Sequence, residues 1–420
     1  MQTKQAAADS SSSSNSTDTS SKNNKQSSTT SSCCVVHGPI IVGAGPSGLA
    51  VAATLRRHGV PFTVLERSDG IADLWTNRTY DRLRLHLPKV FCELPHVAFP
   101  DDFPSYPTKH DFLRYLRSYA AGFAVSPLFG RAVTRARFDA AAALWRVTAV
   151  SDDGAETEFV SRWLVVASGE NAEVGGAQGE GEGEVHVLPR EMFGGSTFGI
   201  AMKLLKWLPV KLVDRFLLLV ASMVLGDTEK YGLKRPKLGP LEIKNITGKS
   251  PVLDVGAWSL IKSGNIKIVP EVESFNSNGA RFVDGNEMAF DTVIFATGYR
   301  SNVPSWLKDG DLFTEDGKPK AQHPSNWRGP NGLYCVGFSG RGLLGVGADA
   351  LRAAADIAGR WQEMVAAAAG AKISSVKRET GDWPWACKRA AALMALAAAA
   401  LLLKQQQLLS WCSTDVYMWR

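Results

Sequence analysis

Three glycines and one acid carry the clearest chemistry in this chain of 420 residues. Gly43, Gly45 and Gly48 stand in a G-x-G-x-x-G spacing, and Glu66 follows eighteen positions after the third. At a nucleotide each has its own task. The first glycine permits a tight turn, the second lets backbone approach a pyrophosphate, and the third lets helix and strand pack closely. A helix that starts at such a turn offers unpaired N–H groups to phosphate oxygens, and an acid placed like Glu66 accepts from ribose hydroxyls. The spacing predicts a dinucleotide site.

A glycine pattern needs the right flanking elements before it means anything. Ile40-Ile41-Val42 reads as a buried strand, Leu49, Ala52, Ala53 and Leu55 as the inner face of a helix, and residues 62–65 as a second strand running into Glu66. The Pro-rich stretch 88–107 must be extended or looped. Thr108 reads as an N-cap with Asp111 in a capping-box position; the helix it opens has Phe112, Leu113, Tyr115, Leu116 and Tyr119 on one face. Residues 132–138, 144–150 and 158–166 alternate as short strands, the last two joined by a turn at Asp152-Asp153-Gly154.

Composition narrows the classes. The length allows two or three domains, and 45% hydrophobic with 21% charged residues is ordinary for a soluble globular protein. The net charge of +6 is spread out, which suits an anionic cofactor and implies no nucleic-acid partner. Six cysteines without framework spacing or a CxxC, and seven scattered histidines, predict neither a disulfide scaffold nor a metal site. The expected compartment is the reducing cytoplasm, with the endoplasmic reticulum surface as the alternative. Residues 1–34, rich in Ser, Thr and Asn, are expected to be a disordered tail.

Longer runs carry a family likeness. GPIIVGAGPSGLA, LERSDGIADLW, RTYDRLRLHLPKVFCELP, SYPTKHDFLRYLRSYA and VVASGENAE resemble the class B flavin-containing monooxygenases, and within them the plant YUCCA family of auxin biosynthesis. The likeness resumes in HVLPREMFGGSTFGIAMKLLKWLPVKLVDRFLLLVASMVLGD, KYGLKRPKLGPLEIKN, FDTVIFATGYRSNVPSWL and GLYCVGFSGRGLLG, and covers nearly all of residues 36–361. It implies an α/β fold: an FAD-binding Rossmann-like domain of three layers and a second nucleotide-binding domain. The implied reaction is oxidative decarboxylation of indole-3-pyruvate to indole-3-acetate with FAD, NADPH and O2, through a flavin C4a-peroxide. In that class the cofactor does the bond-making, so no catalytic side chain is expected. The resemblance puts Gly43, Ala44, Gly45, Pro46, Ser47, Gly48 and Glu66 at the FAD, with Leu74 and Trp75 just beyond and Thr297 and Gly298 at the closing turn. Trp75 reads equally well as plain core. His86 and Lys89 fall in a run similar to the flavin-facing part of the family, and Arg190 in one near the NADPH phosphate.

The chain also departs from the family. There, VVATGENAE leads to a second βαβ with its own glycine fingerprint for NADPH. Here residues 175–184 are five glycines, one alanine and four acidic or amide residues, a flexible linker far short of the ~30 residues a βαβ needs. The second nucleotide-binding domain is therefore expected to be truncated. The expected division is a tail to 34, the first part of the FAD domain over 35–169, the NADPH-domain remnant over 170–295, the closing part over 296–365 and an Ala/Leu-rich tail over 366–420. An FAD-binding but NADPH-deficient paralogue or truncated gene product, acting at most as a binding partner, is the alternative reading.

Four further stretches carry expectations. Residues 196–226, with Lys203, Lys206, Lys211 and Arg215, should be a helix pair split by Pro209 and packed on the protein, a membrane-surface helix being the alternative. Residues 266–269, 280–284 and 290–297 read as strands, the last buried and ending in the turn at Gly298. Gly340, Gly342 and Gly345 form a second G-x-G-x-x-G before a helix from about Ala348 to Glu363, with no second strand or acid after it. The resemblance implies that this helix points its N-terminus at the flavin. Residues 390–403 are apolar but shorter than the ~20 a spanning helix needs, so a buried or interfacial helix is expected and a tail anchor is the alternative.

Overall fold

A computed structural model describes residues 32–171, 173–174, 184–248, 250–296, 298–308, 312–321 and 324–379. Its centre is a parallel sheet of four three-residue strands: β2 (Ile40–Val42), β3 (Thr63–Leu65), β7 (Leu164–Val166) and β17 (Leu333–Cys335), in the order β17-β7-β2-β3. Alternation sorts its side chains. Ile41, Val64, Val165 and Tyr334 face a core shared with helices α1 (Pro46–Arg57), α3 (Lys109–Gly122) and α9 (Leu343–Glu379). Ile40, Val42, Leu65, Leu164, Val166 and Leu333 face a second core instead. A strand whose two faces are both covered reads as an unbroken apolar run, which is the pattern of Ile40-Ile41-Val42.

The second core lies against an antiparallel layer of β4 (Arg131–Asp139), β5 (Leu144–Ser151) and β6 (Glu156–Ser161). Trp145 anchors it, 1% exposed and donating from Nε1 to the Asn331 carbonyl at 2.8 Å. Helices, parallel sheet and antiparallel sheet are the three expected layers. One edge was unexpected: β1 (Ser32–Val35) pairs in parallel with β6, so residues 32–34 are not part of a disordered tail. The backbone N–H groups of a polar stretch gain ladder partners there that composition does not reveal. The capping box is as expected, with the Asp111 N–H donating to Thr108 Oγ1 and the Thr108 N–H to Asp111 Oδ2.

Between the two parts of the parallel sheet the chain builds a smaller lobe. Strand β8 (Glu173–Val174) pairs with β16 (Tyr299–Arg300), and β9 (Val187–Pro189) with β12 (Val252–Asp254). A short hairpin of β10 (Glu191–Met192) and β11 (Gly195–Ser196) leads into α4 (Thr197–Leu204), and Pro209 caps α5 (Val210–Leu225) as the split helix pair requires. Leu188, Val213, Leu217, Val220 and Trp258 form the lobe's own core, closed by α6 (Pro240–Thr247) and α7 (Ala257–Lys262). A meander of β13 (Val272–Asn276), β14 (Gly279–Phe282) and β15 (Glu287–Ala289) follows. The short helices α2 (Asp73–Asn77) and α8 (Val303–Trp306) sit beside the parallel sheet's carboxyl ends.

Two strand expectations fail here. Residues 266–269 are not a strand, and residues 290–296 are neither a strand nor buried: Ile294 is 86% and Phe295 66% exposed. A buried strand needs neighbours on both edges and a layer over each face. Residues 290–296 join none of the sheets formed by the described residues, so VIF, apolar as it is, stays outside. The long helix begins at Leu343, five residues before the expected Ala348. Thr297, residues 175–183, the 390–403 run and most of the two tails lie outside the described residues. Among the described residues no helix is long and apolar enough to cross a membrane, and no cluster of His, Cys, Asp and Glu is arranged to hold a metal.

Candidate functional site

The carboxyl ends of β2, β3, β7 and β17 open into a cavity of about 400 Å³. An open parallel sheet binds ligands at this end, because the helix N-termini converge there. The three fingerprint glycines play three different parts. Gly43 turns the chain with φ +107°, and its N–H donates to the Leu65 carbonyl at 2.8 Å. Gly48 is closed in: a Cβ would lie 1.9 Å from the Gly43 carbonyl oxygen. Gly45, the N-cap of α1, is open, for a Cβ would meet no atom within 4 Å. Gly43 and Gly45 both line the cavity, and Gly45 is the one whose missing side chain leaves room there. Pro46 starts the helix without needing a hydrogen bond, and the first turn of α1 holds no acid to compete for an anion.

Glu66 is 7% exposed and fixed from both sides. The Ala44 N–H donates to its Oε2 at 2.7 Å and the Ser68 N–H to its Oε1 at 3.0 Å. These bonds hold the carboxylate at the cavity rim, and its remaining lone pairs can accept from hydroxyls. Leu74 and Trp75, on α2, also line the cavity. Trp75 packs edge-on against Phe112 with ring centroids 4.6 Å apart, so it is both wall and core. Ser47 lies against Gly337, where φ is +88° and a Cβ would come 2.2 Å from the Ser47 Oγ. The Ser168 hydroxyl is buried on the cavity and has no hydrogen-bond partner, which a bound polar ligand would supply. Burial pushes the Glu170 carboxyl above its ordinary range, offset in part by Lys318 and the Gly340 N–H.

Several cavity residues had no signal in the sequence. Arg67, Arg78 and Arg131 bring positive charge, and Asn302 and Trp306 come from the start and end of α8. They converge only through folding, from positions more than two hundred residues apart. Gly342, Leu343 and Val346, at the head of α9, line the same cavity. The second glycine run therefore serves the first site. Gly298 does not line it; Asn302 and Trp306, a few residues on, take the place expected of the closing turn. Lys89 is a loop staple: its Nζ donates to the carbonyls of Pro100 and Phe103 at 2.8 Å and of Asp101 at 3.2 Å. His86 is exposed and off the cavity, and the Arg190 guanidinium stacks 4.2 Å over the Tyr106 ring.

These features fit FAD. The open Gly45, the acid-free head of α1, the fixed Glu66 and the partnerless Ser168 hydroxyl suit a pyrophosphate, a ribose and a polar ring edge. The described residues offer no equivalent for NADPH. The fold is that of flavin-dependent monooxygenases: a solved flavin-containing monooxygenase from Stenotrophomonas maltophilia superposes with a TM-score of 0.52 at 21% identity, covering 78% of this chain and 99% of that one. A family model for an NAD(P)-binding Rossmann-like domain matches residues 41–102, the fingerprint with Glu66 and α2. Indole-3-pyruvate monooxygenase YUCCA8 of Oryza sativa subsp. indica is 70% identical, over 81% of this chain and 95% of the relative. The probable indole-3-pyruvate monooxygenase YUCCA1 of Arabidopsis thaliana is 48% identical over 79% and 92%. The chain belongs to the YUCCA family of flavin-dependent monooxygenases, enzymes that use FAD and NADPH with O2 and a small-molecule substrate.

Proposed function

We propose that this chain oxidatively decarboxylates indole-3-pyruvate to indole-3-acetate at the FAD held by the β2–α1 cradle. The observation that carries the reading is 70% identity across 95% of a relative named for that substrate, together with a cradle intact at every fingerprint position. In balance, one O2 and two electrons with two protons turn the 2-oxo acid into the shortened acid, CO2 and water. Bound FAD, when reduced, supplies the oxygen activation that no side chain provides.

The chain's own residues bind, orient and exclude water. The N–H groups at the head of α1 would hold the pyrophosphate, Arg67, Arg78 and Arg131 would bring positive charge to the cavity, and Glu66 would accept from the ribose. The head of α9 places the positive end of a long helix at the cavity, where it would stabilise negative charge on a bound, reduced ring. Trp75 and Trp306 wall the cavity with apolar surface. The test is a single turnover: photoreduced holo-protein is mixed with O2 and indole-3-pyruvate. The reading expects close to one indole-3-acetate per flavin, above a control with free reduced flavin. Reoxidation without product above that control overturns it. A cytoplasmic location is part of the same proposal, supported by the unpaired state of the four cysteines among the described residues, Cys33, Cys34, Cys92 and Cys335, and is checked with a fluorescent fusion.

A further inference from the structure

We propose that this chain holds FAD but has, among its described residues, no cradle for a second dinucleotide, so that NADPH does not reduce its flavin at the rate of the intact relatives. The proposal rests on the FAD site described above. The 402 positions aligned with the rice relative occupy 81% of this chain, and 81% of 420 residues is about 340, so about 60 aligned positions have no residue here. A βαβ with its glycine turn needs roughly 30 residues or more. Only twelve residues separate β8 from β9, at 175–186.

What remains in the lobe does not replace the missing unit. A pyrophosphate needs a strand, a tight turn and a helix N-terminus with free N–H groups. The head of α6 is already filled: the N–H groups of Leu241 and Glu242 donate to the Asp214 carboxylate at 2.9 and 3.1 Å. Asp214 is 3% exposed, and a Cβ on Gly239 would come 2.1 Å from its oxygen, so the acid is built into that helix end. The turn from β12 into α7 is filled in the same way, the Trp258 and Gly256 N–H groups donating to Asp254 Oδ1 at 2.9 and 3.2 Å. At α4 the Gly199 N–H donates to Ser196 Oγ. A phosphate approaching α6 or α7 meets a carboxylate instead of free donors. The second glycine run offers no alternative, because Gly342 and Leu343 line the FAD cavity.

The surface tells the same story. Val293, Ile294 and Phe295 are 44%, 86% and 66% exposed, and Phe275 packs edge-on against Phe295 with centroids 5.5 Å apart. An apolar triplet that joins no sheet among the described residues and touches the β13 meander only at Phe275 is what removal of covering strands and a helix would leave behind.

The test uses FAD-loaded full-length protein under anaerobic conditions, with the rice relative alongside. One arm adds NADPH and follows bleaching of the flavin's visible band; a second reduces the flavin by light. A third measures NADPH binding directly through its own fluorescence. Photoreduction should bleach both proteins alike, while NADPH bleaches this chain at least about 100-fold more slowly and shows no saturable binding. Grafting the relative's missing segment between Val174 and Val187 should restore NADPH bleaching without changing FAD content. Bleaching by NADPH within tenfold of the relative overturns the proposal while leaving the FAD site standing. A folded chain that takes up no FAD overturns the proposed function and the first half of this proposal together.

Discussion

Two glycines three residues apart should respond in opposite ways to the same methyl group. At Gly48 a Cβ would lie 1.9 Å from the Gly43 carbonyl oxygen, backbone against backbone. Gly43 is in turn held at φ +107° by its N–H bond to the Leu65 carbonyl, so it has little room to yield. Overpacking of this kind costs ~1–3 kcal/mol and more when backbone must move, so Gly48→Ala should destabilise the FAD-free protein by about 3 kcal/mol. At Gly45 the backbone is extended, at φ −77°, and the new Cβ meets nothing within 4 Å. Gly45→Ala should leave the FAD-free protein unchanged or up to about 1 kcal/mol more stable, through a stiffer unfolded chain. Its methyl group enters the cavity where backbone must approach phosphate. Losing one charge-assisted hydrogen bond, ~1.5–3 kcal/mol, weakens FAD binding ~10- to 100-fold. Denaturant melts of FAD-free protein and flavin fluorescence titrations separate the two effects. If Gly45→Ala unfolds as readily as Gly48→Ala, or binds FAD like the parent, the assignment of roles is wrong.

Other outcomes follow from the same geometry. Ser168→Ala should leave FAD-free stability intact, since that hydroxyl has no partner to lose, while FAD titration shows weaker binding. Glu66→Gln replaces one of two acceptor oxygens by an NH2 facing an N–H, and should cost about 2 kcal/mol in denaturant melts as well as FAD affinity. Asp214→Asn makes the same exchange at the head of α6 and should cost about 2 kcal/mol with FAD binding unchanged. Burial pushes the thiols of Cys92 and Cys335 up to about 12, so alkylation mapped by peptide mass should label exposed Cys33 and Cys34 well before either. The fold favours their neutral form, so this contribution to stability is complete below pH about 9 and is lost as pH rises from about 9 to about 12, which base titration of the melting curve checks.

The nucleotide cradle was legible because everything it needs is close in sequence: a strand, a turn, a helix and an acid within residues 40–66. The Thr108–Asp111 capping box was legible for the same reason. What escaped depends on partners far along the chain. Ser32–Val35 is a strand only because β6 lies beside it, and Arg131, Asn302 and Trp306 reach the cavity only after the sheet has closed. The failure at 290–296 is the instructive one. Those residues have strand composition, but burial belongs to the neighbours, and among the described residues they find no strand to pair with and no covering layer. The head of α9 was placed too late because Leu343 follows Gly342 directly, and a glycine run read as a loop hides the start of a helix.

Native mass spectrometry of the folded chain with FAD and NADP together counts the dinucleotides that the protein holds. With one cradle the spectrum shows a single mass increment equal to one FAD, present in the parent and weakened in Gly45→Ala. A second increment equal to NADP, saturating at the concentrations that saturate the rice relative, would contradict it.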